Sequence, residues 1–247
     1  MTRLPGGVGI SGLTVYDWEA ADGLCGGTPH MHLVCSEAYV VVSGTGSVQT
    51  LTTTGFADTP LHPGDVVWFT PGTIHRLVNA GGLRLLVLMQ NSGLPEAGDA
   101  VFTFPAPVLA DPHAYQAAAA LTGDHATAAR RRRDLALEGF LALREGGLAE
   151  FHAAAQRLKS GLLDDWRTRW RDGALAAALE TGRQLERLKA GDLSYLGHGE
   201  VSRRECPEHP LFGMCGRLHT YPVPDSPTRP PRGPSGSPHP HTSKEHA

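Results

Sequence analysis

The chain has 247 residues, 40% of them hydrophobic and 19% charged, enough for one large domain or a smaller domain with an appendage. A formal charge of −3 supplies no basic excess for nucleic acid, and apolar runs such as 85–89 fall far short of the roughly 18 residues a membrane span needs. The opening Met1-Thr2-Arg3-Leu4-Pro5 lacks the apolar core of a secretory signal, and 4 cysteines are too few for a disulfide scaffold, so a cytoplasmic protein is expected.

Proline divides the chain. Of 19 prolines, 9 lie in residues 1–112 and 8 in 222–247, with none between 113 and 206. Residues 1–106 read as β structure: short runs rich in Val, Thr, Leu and aromatics at 38–42, 47–52, 66–70, 75–79 and 83–90. Gly44-Thr45-Gly46 and His62-Pro63-Gly64-Asp65 read as turns between them. Residues 107–195 read as three or four helices. Asp111 is a natural N-cap with Pro112 at the first helical position. One helix is expected around 130–144. An apolar stripe steps by three or four through Leu148, Phe151, Ala155, Leu158, Leu162, Trp166 and Trp170, and a second runs from Leu175 through Leu179, Leu185 and Leu188 towards Gly191. These helices are expected to pack on the outside of the β region or on a partner subunit. Residues 196–222 form an irregular arm, and 223–247, with no aliphatic side chain beyond Val223 larger than Ala, are expected to be a disordered Pro-rich tail.

The chemistry concentrates in two stretches. In His30-Met31-His32-Leu33-Val34-Cys35-Ser36-Glu37, the histidines at i and i+2 of a strand share a face, because side chains alternate across a sheet. Glu37 lies at an odd offset from His32, so it joins them only if the strand bulges or bends within 33–36. The second stretch runs from Gly64 to Asn79, a strand, a tight turn and a return strand with His75 just after the turn.

Together these stretches resemble the two motifs of the cupin superfamily. The first has the His-x-His pair, the glutamate after four intervening residues, and Gly44 after six more; the second has Gly64, Gly72, His75 and Asn79. Two departures, Thr70 in place of the usual proline and a displaced opening glycine among Gly23, Gly26 and Gly27, touch no ligand. The resemblance covers about residues 10–106. It implies a mainly β fold, a jelly-roll barrel of the double-stranded β-helix type, followed here by the α-helical C-terminal region. It also implies one divalent metal ion held by His30, His32, Glu37 and His75, and a homodimer. Three imidazoles and a carboxylate leave two positions open on a six-coordinate ion, which favours Fe(II), with Mn, Co, Ni or Zn also accommodated.

Around that centre, Tyr39 and Gln90 are candidate pocket residues: Tyr39 by its parity with Glu37, Gln90 as the amide ending an apolar strand. Asn79 is expected to secure a turn, Arg76 to face outward, and Cys35 to be a packed thiol; Cys25 is a candidate for the pocket mouth. Cys206, His209, Cys215 and His219 read C-x2-H-x5-C-x3-H, a loose zinc pattern with too short a middle gap. The simpler reading is an arm laid over the barrel and anchored by Leu211, Phe212 and Tyr221. The run Arg130–Arg133, set among acids, reads as a solvated helix face. The expected function is a metal-dependent enzyme acting on a small polar metabolite, first an Fe(II)-type oxygenase. A non-redox isomerase or epimerase of sugars or sugar phosphates and a non-catalytic sensor are the alternatives.

Overall fold

The structure is a computed structural model that describes residues 4–221, so the Pro-rich tail expected at 223–247 lies outside the described residues. Nine strands make up the β region: β1 (Gly9–Val15), β2 (His30–His32), β3 (Glu37–Thr52), β4 (Gly55–Leu61), β5 (Val66–Phe69), β6 (Ile74–Met89), β7 (Ala100–Phe102), β8 (Leu211–Phe212) and β9 (Gly216–Thr220). They run in the order β4-β3-β6-β1-β9-β8, with β5 on β3 and with β2 between β6 and β7. Every pairing is antiparallel, in the jelly-roll arrangement expected from the sequence.

The five expected strands become three. Gly44-Thr45-Gly46 is not a turn but the bent middle of the 16-residue β3, and 75–79 and 83–90 are halves of the equally long β6. The two strands pair along their length, with register shifts between Val41 and Gly46. Those irregularities bend both strands, so the half Glu37–Val41 pairs with Leu85–Met89 and the half Gly46–Leu51 with Ile74–Asn79. Gly44 makes this possible. Its φ is 77°, and a Cβ there would sit 2.2 Å from the Gly82 carbonyl oxygen.

The helices are α1 (Ala106–Ala110), α2 (Pro112–Ala119), α3 (His125–Glu145), α4 (Leu148–Lys159), α5 (Leu163–Trp170) and α6 (Ala176–Lys189). Asp111 caps α2 as expected, its side chain accepting from the His113 N–H. Leu137, Phe140 and Phe151 of α3 and α4 pack with Met31, Ile74 and Phe102 in a core outside the barrel. A second core, inside the barrel, holds Leu13, Tyr39, Val41, Leu77, Leu85 and Val87. The first apolar stripe buries Phe151, Ala155 and Trp166 but leaves Trp170 exposed. The second stripe faces solvent: no residue of α6 is buried.

The arginine run is a solvated face only in its first half: Arg130 and Arg131 are exposed. Arg132 and Arg133 are buried, because helix α3 lies against loops whose backbone carbonyls need donors. Arg133 donates to the carbonyls of Trp18 and Glu19, and Arg132 to that of Gly213 at 2.6 Å. The arm extends the sheet past the expected barrel limit at 106, since β9 pairs with β1 and β8 with β9. Its firmest anchor is Cys215, buried in the barrel core, whereas Leu211 stays exposed and Phe212 half-buried.

Candidate metal centre

Strand β2 presents His30 and His32 on one face, and β6 brings His75 directly opposite His30 in the pairing register. Residues 33–36 leave the strand in a bend, and β3 restarts at Glu37, which turns its carboxylate to the histidines as the odd offset requires. All four side chains are buried, and their ligand atoms lie within 4.8 Å of one another. His30 Nε2 and His75 Nε2 are 3.1 Å apart, and Glu37 Oε2 lies 3.1 Å from His75 Nε2 and 3.3 Å from His32 Nε2.

The far nitrogen of each ring is tied down. His30 Nδ1 donates to the Thr28 carbonyl at 2.8 Å, His75 Nδ1 to the Thr73 carbonyl at 3.2 Å, and His32 Nδ1 to Asp99 Oδ2 at 3.0 Å. With the protons on Nδ1, the Nε2 lone pairs face one another, and Glu37 Oε2 is buried without a well-directed hydrogen bond. Lone pairs and an anionic oxygen crowded together call for a cation. The donor set therefore fits a divalent metal ion.

Glu37 and Asp99 place negative charge on either side of His32. Burial, then the neighbouring His75 and His32, holds His30 well below its ordinary pKa. Burial also disfavours the charged form of His32, but Asp99 and Glu37 outweigh it and push its pKa up to about 9. Burial works against the Glu37 carboxylate too, yet His75 and His32 hold it well below the usual range. Asp99, fully buried, is likewise lowered: burial opposes ionisation, and its bond to His32 prevails. It also accepts from the N–H groups of Leu33 and Val34, fixing the bend that delivers Glu37.

Tyr39 points inward into the barrel core, fully buried, its ring centroid 6.3 Å from that of His75, but it does not line the cavity. Burial and the Glu37 carboxylate hold its phenol well above 10, so it keeps its proton. Gln90 does not line the cavity: it is exposed at the end of β6, where its Oε1 accepts from the Ser36 N–H. Asn79 secures a turn as expected, accepting from the N–H groups of Gly81 and Leu83. Cys35 is buried beside Leu94 and Trp166, a packed thiol. Cys25 lies off the cavity, its carbonyl accepting from the Asn79 N–H. Arg76 does point away from His75, but it is fully buried, because Asp22 covers it with a two-point ion pair.

Cys206, His209, Cys215 and His219 do not converge: Cys206 is exposed and Cys215 sits in the barrel core. Among the described residues the four-residue cluster is the one group placed to hold an ion. The sequence does not mark Asp99, and it marks Cys215 only within the loose zinc pattern. Asp99 stands 67 residues from His32, and its signal was a lone acid just before the short apolar run of β7. Cys215 lines the cavity, and its signal was the alternating Gly216–Thr220 strand behind it.

These features define the class: an antiparallel jelly-roll barrel with a buried three-histidine, one-glutamate cluster inside. A family model described as a cupin domain matches residues 18–89, so that segment is a cupin domain, with a helical region after it. Solved structures similar to it include a double-stranded β-helix protein from Klebsiella pneumoniae, 18% identical over 34% of this chain and 64% of that one, with a TM-score of 0.26. The capsular polysaccharide assembling protein CapF from Staphylococcus aureus is 20% identical over 36% of this chain and 23% of its own, with a TM-score of 0.27. QdtA, a sugar 3,4-ketoisomerase from Thermoanaerobacterium thermosaccharolyticum, is 15% identical over 37% of this chain and 64% of its own, with a TM-score of 0.32. The chain spans less than two thirds of the length of each of these three. No curated protein matches it.

Proposed function

We propose that this chain is a mononuclear metal-dependent enzyme, in the first place an Fe(II)-type oxygenase acting on a small molecule. The observation that carries the reading is the closed set of four buried ligand atoms within 4.8 Å, each histidine held from behind by an oxygen acceptor. A divalent ion bound there supplies Lewis acidity and, if it is Fe(II), the redox chemistry of O2.

The chain's own residues have separable tasks. His30, His32, His75 and Glu37 bind; Asp99 orients His32, and the carbonyls of Thr28 and Thr73 orient His30 and His75. Tyr39 holds a proton on its hydroxyl beside the Glu37 carboxylate. The apolar side chains of the adjoining cavity exclude water from the substrate. Those walls are largely apolar, with Ser11, Ser92, Thr220 and Tyr221 as the hydroxyl groups among them, which places the isomerase reading second.

The test is metal analysis of protein made without metal supplementation, beside His75→Ala. About one equivalent of metal per chain is expected, with at least a tenfold loss in the variant. The Fe(II)-loaded protein should then consume O2 with a member of a broad metabolite panel. A variant that keeps its metal overturns the site, and turnover unchanged without O2 moves the assignment to non-redox chemistry.

A further inference from the structure

The cavity beside the cluster has a volume of about 210 Å³, and its walls are mostly hydrocarbon: Val8, Leu13, Val87, Met89, Met214 and Leu218. His30, His32 and Glu37 also reach it. Of the remaining charged groups on its surface, Glu96 and Arg204 both come from outside the strands, and Glu96 already accepts from the Gly93 N–H. An apolar cavity of about 150 Å³ is enough to hold benzene. This one therefore has room for a ring with a short substituent. A hexose would bring several hydroxyls against hydrocarbon, and each one left without a partner weakens binding on the order of tenfold.

We propose that the ligand of this cavity is a compact, largely apolar molecule, about one substituted ring in size, with a pair of oxygens at the end that meets the four-residue cluster. The oxygen pair rests on the metal-enzyme reading above; the apolar body rests on the cavity alone. This departs from the polar metabolite expected from the sequence, because the inward positions of β1, β6 and β9 supply chiefly Leu13, Val87, Met89 and Leu218, with Ser11 and Thr220 as their hydroxyls.

Met31 provides an internal control. It belongs to the core beneath the helices, on the opposite side of β2 from the histidines, whereas Met89 and Met214 line the cavity. In protein labelled at the methionine methyls, titration with toluene should shift Met89 and Met214 saturably and leave Met31 in place. Val87→Asn should weaken that binding at least tenfold, an unmoved Met31 signal reporting an intact fold; Val87→Thr provides a milder second variant. Absence of saturable shifts, or glucose moving the same methyls at lower concentration than toluene, overturns the proposal.

A second arm uses Co(II)-loaded protein, with acetohydroxamate and benzohydroxamate sharing one chelating head. Benzohydroxamate should bind at least tenfold more tightly, read from the Co(II) absorption. Equal affinities overturn the apolar class. If toluene binds but neither hydroxamate perturbs the ion, or no ion binds, the metal reading and the oxygen pair fail while the apolar class stands.

Discussion

At the scale of single residues, three imidazoles are aimed by what stands behind them. Two lean on backbone carbonyls that no side-chain substitution removes; His32 alone leans on a side chain, Asp99. Asp99→Asn keeps an acceptor but loses the charge that raises the basicity of His32. The expected result is a 10–100-fold loss of metal affinity, typical for such a supporting carboxylate, measured by competition with a chelator. The fold should persist, since an asparagine oxygen can still accept from Leu33 and Val34. The four ligands were legible because a strand's alternation and the motif spacing are local. Asp99 was not, since nothing near it in the chain says that β7 will lie beside β2.

At the scale of elements, long strands do the positioning. The bend of β3 and β6 at Gly44 and Gly46 lets one pair of strands close the core and also bring His75 opposite His30. Glycine-rich runs read as turns because φ above zero is most often a turn; here the same freedom serves a bulge inside a strand. The outer side of β6 is secured by the loop carrying Asp22, whose carboxylate pairs with the buried Arg76. Burial opposes the ionisation of Asp22, but Arg76 outweighs it and lowers its pKa below 3.8. The pair's stabilisation is therefore fully present above the unfolded value of 3.8 and is lost as pH falls through the lower folded value. Asp22→Asn should cost about 2 kcal/mol near neutral pH, since it leaves a buried guanidinium without its counter-charge. Denaturant titrations across pH should show the gap between native and variant closing below pH ~4.

For the whole molecule, the outward face of the β5-β3-β6 sheet has no covering element among the described residues. Val42, Val66, Trp68 and Leu86 are exposed there, Trp68 at 70%, with Ala38, Val40 and Leu88 half-buried between them. The patch carries no charge at its centre, so a copy of itself would meet no unpaired ion. We propose this face as the seat of the homodimer that the family resemblance implies; α6, whose leucines are interrupted by Glu180, Arg183, Glu186 and Arg187, suits it less. Trp68→Ser should shift sedimentation from dimer to monomer while leaving metal content unchanged. A native chain that sediments as a monomer at micromolar concentration rules the interface out.

The sequence by itself determined the barrel, the order of its parts and the four residues His30, His32, Glu37 and His75 that cluster in it, because alternation, turn chemistry and motif spacing act over a few residues. It also placed the cap of α2 and the packed thiol of Cys35, which depend on the same short range. Only the tertiary structure decided that Arg132 and Arg133 are buried ties and that Cys215 closes the barrel. It alone showed that Asp99 stands behind His32 and that the cavity walls are apolar. Each of those facts joins positions far apart in the chain, and which distant groups meet is settled by burying surface and satisfying buried polar groups together.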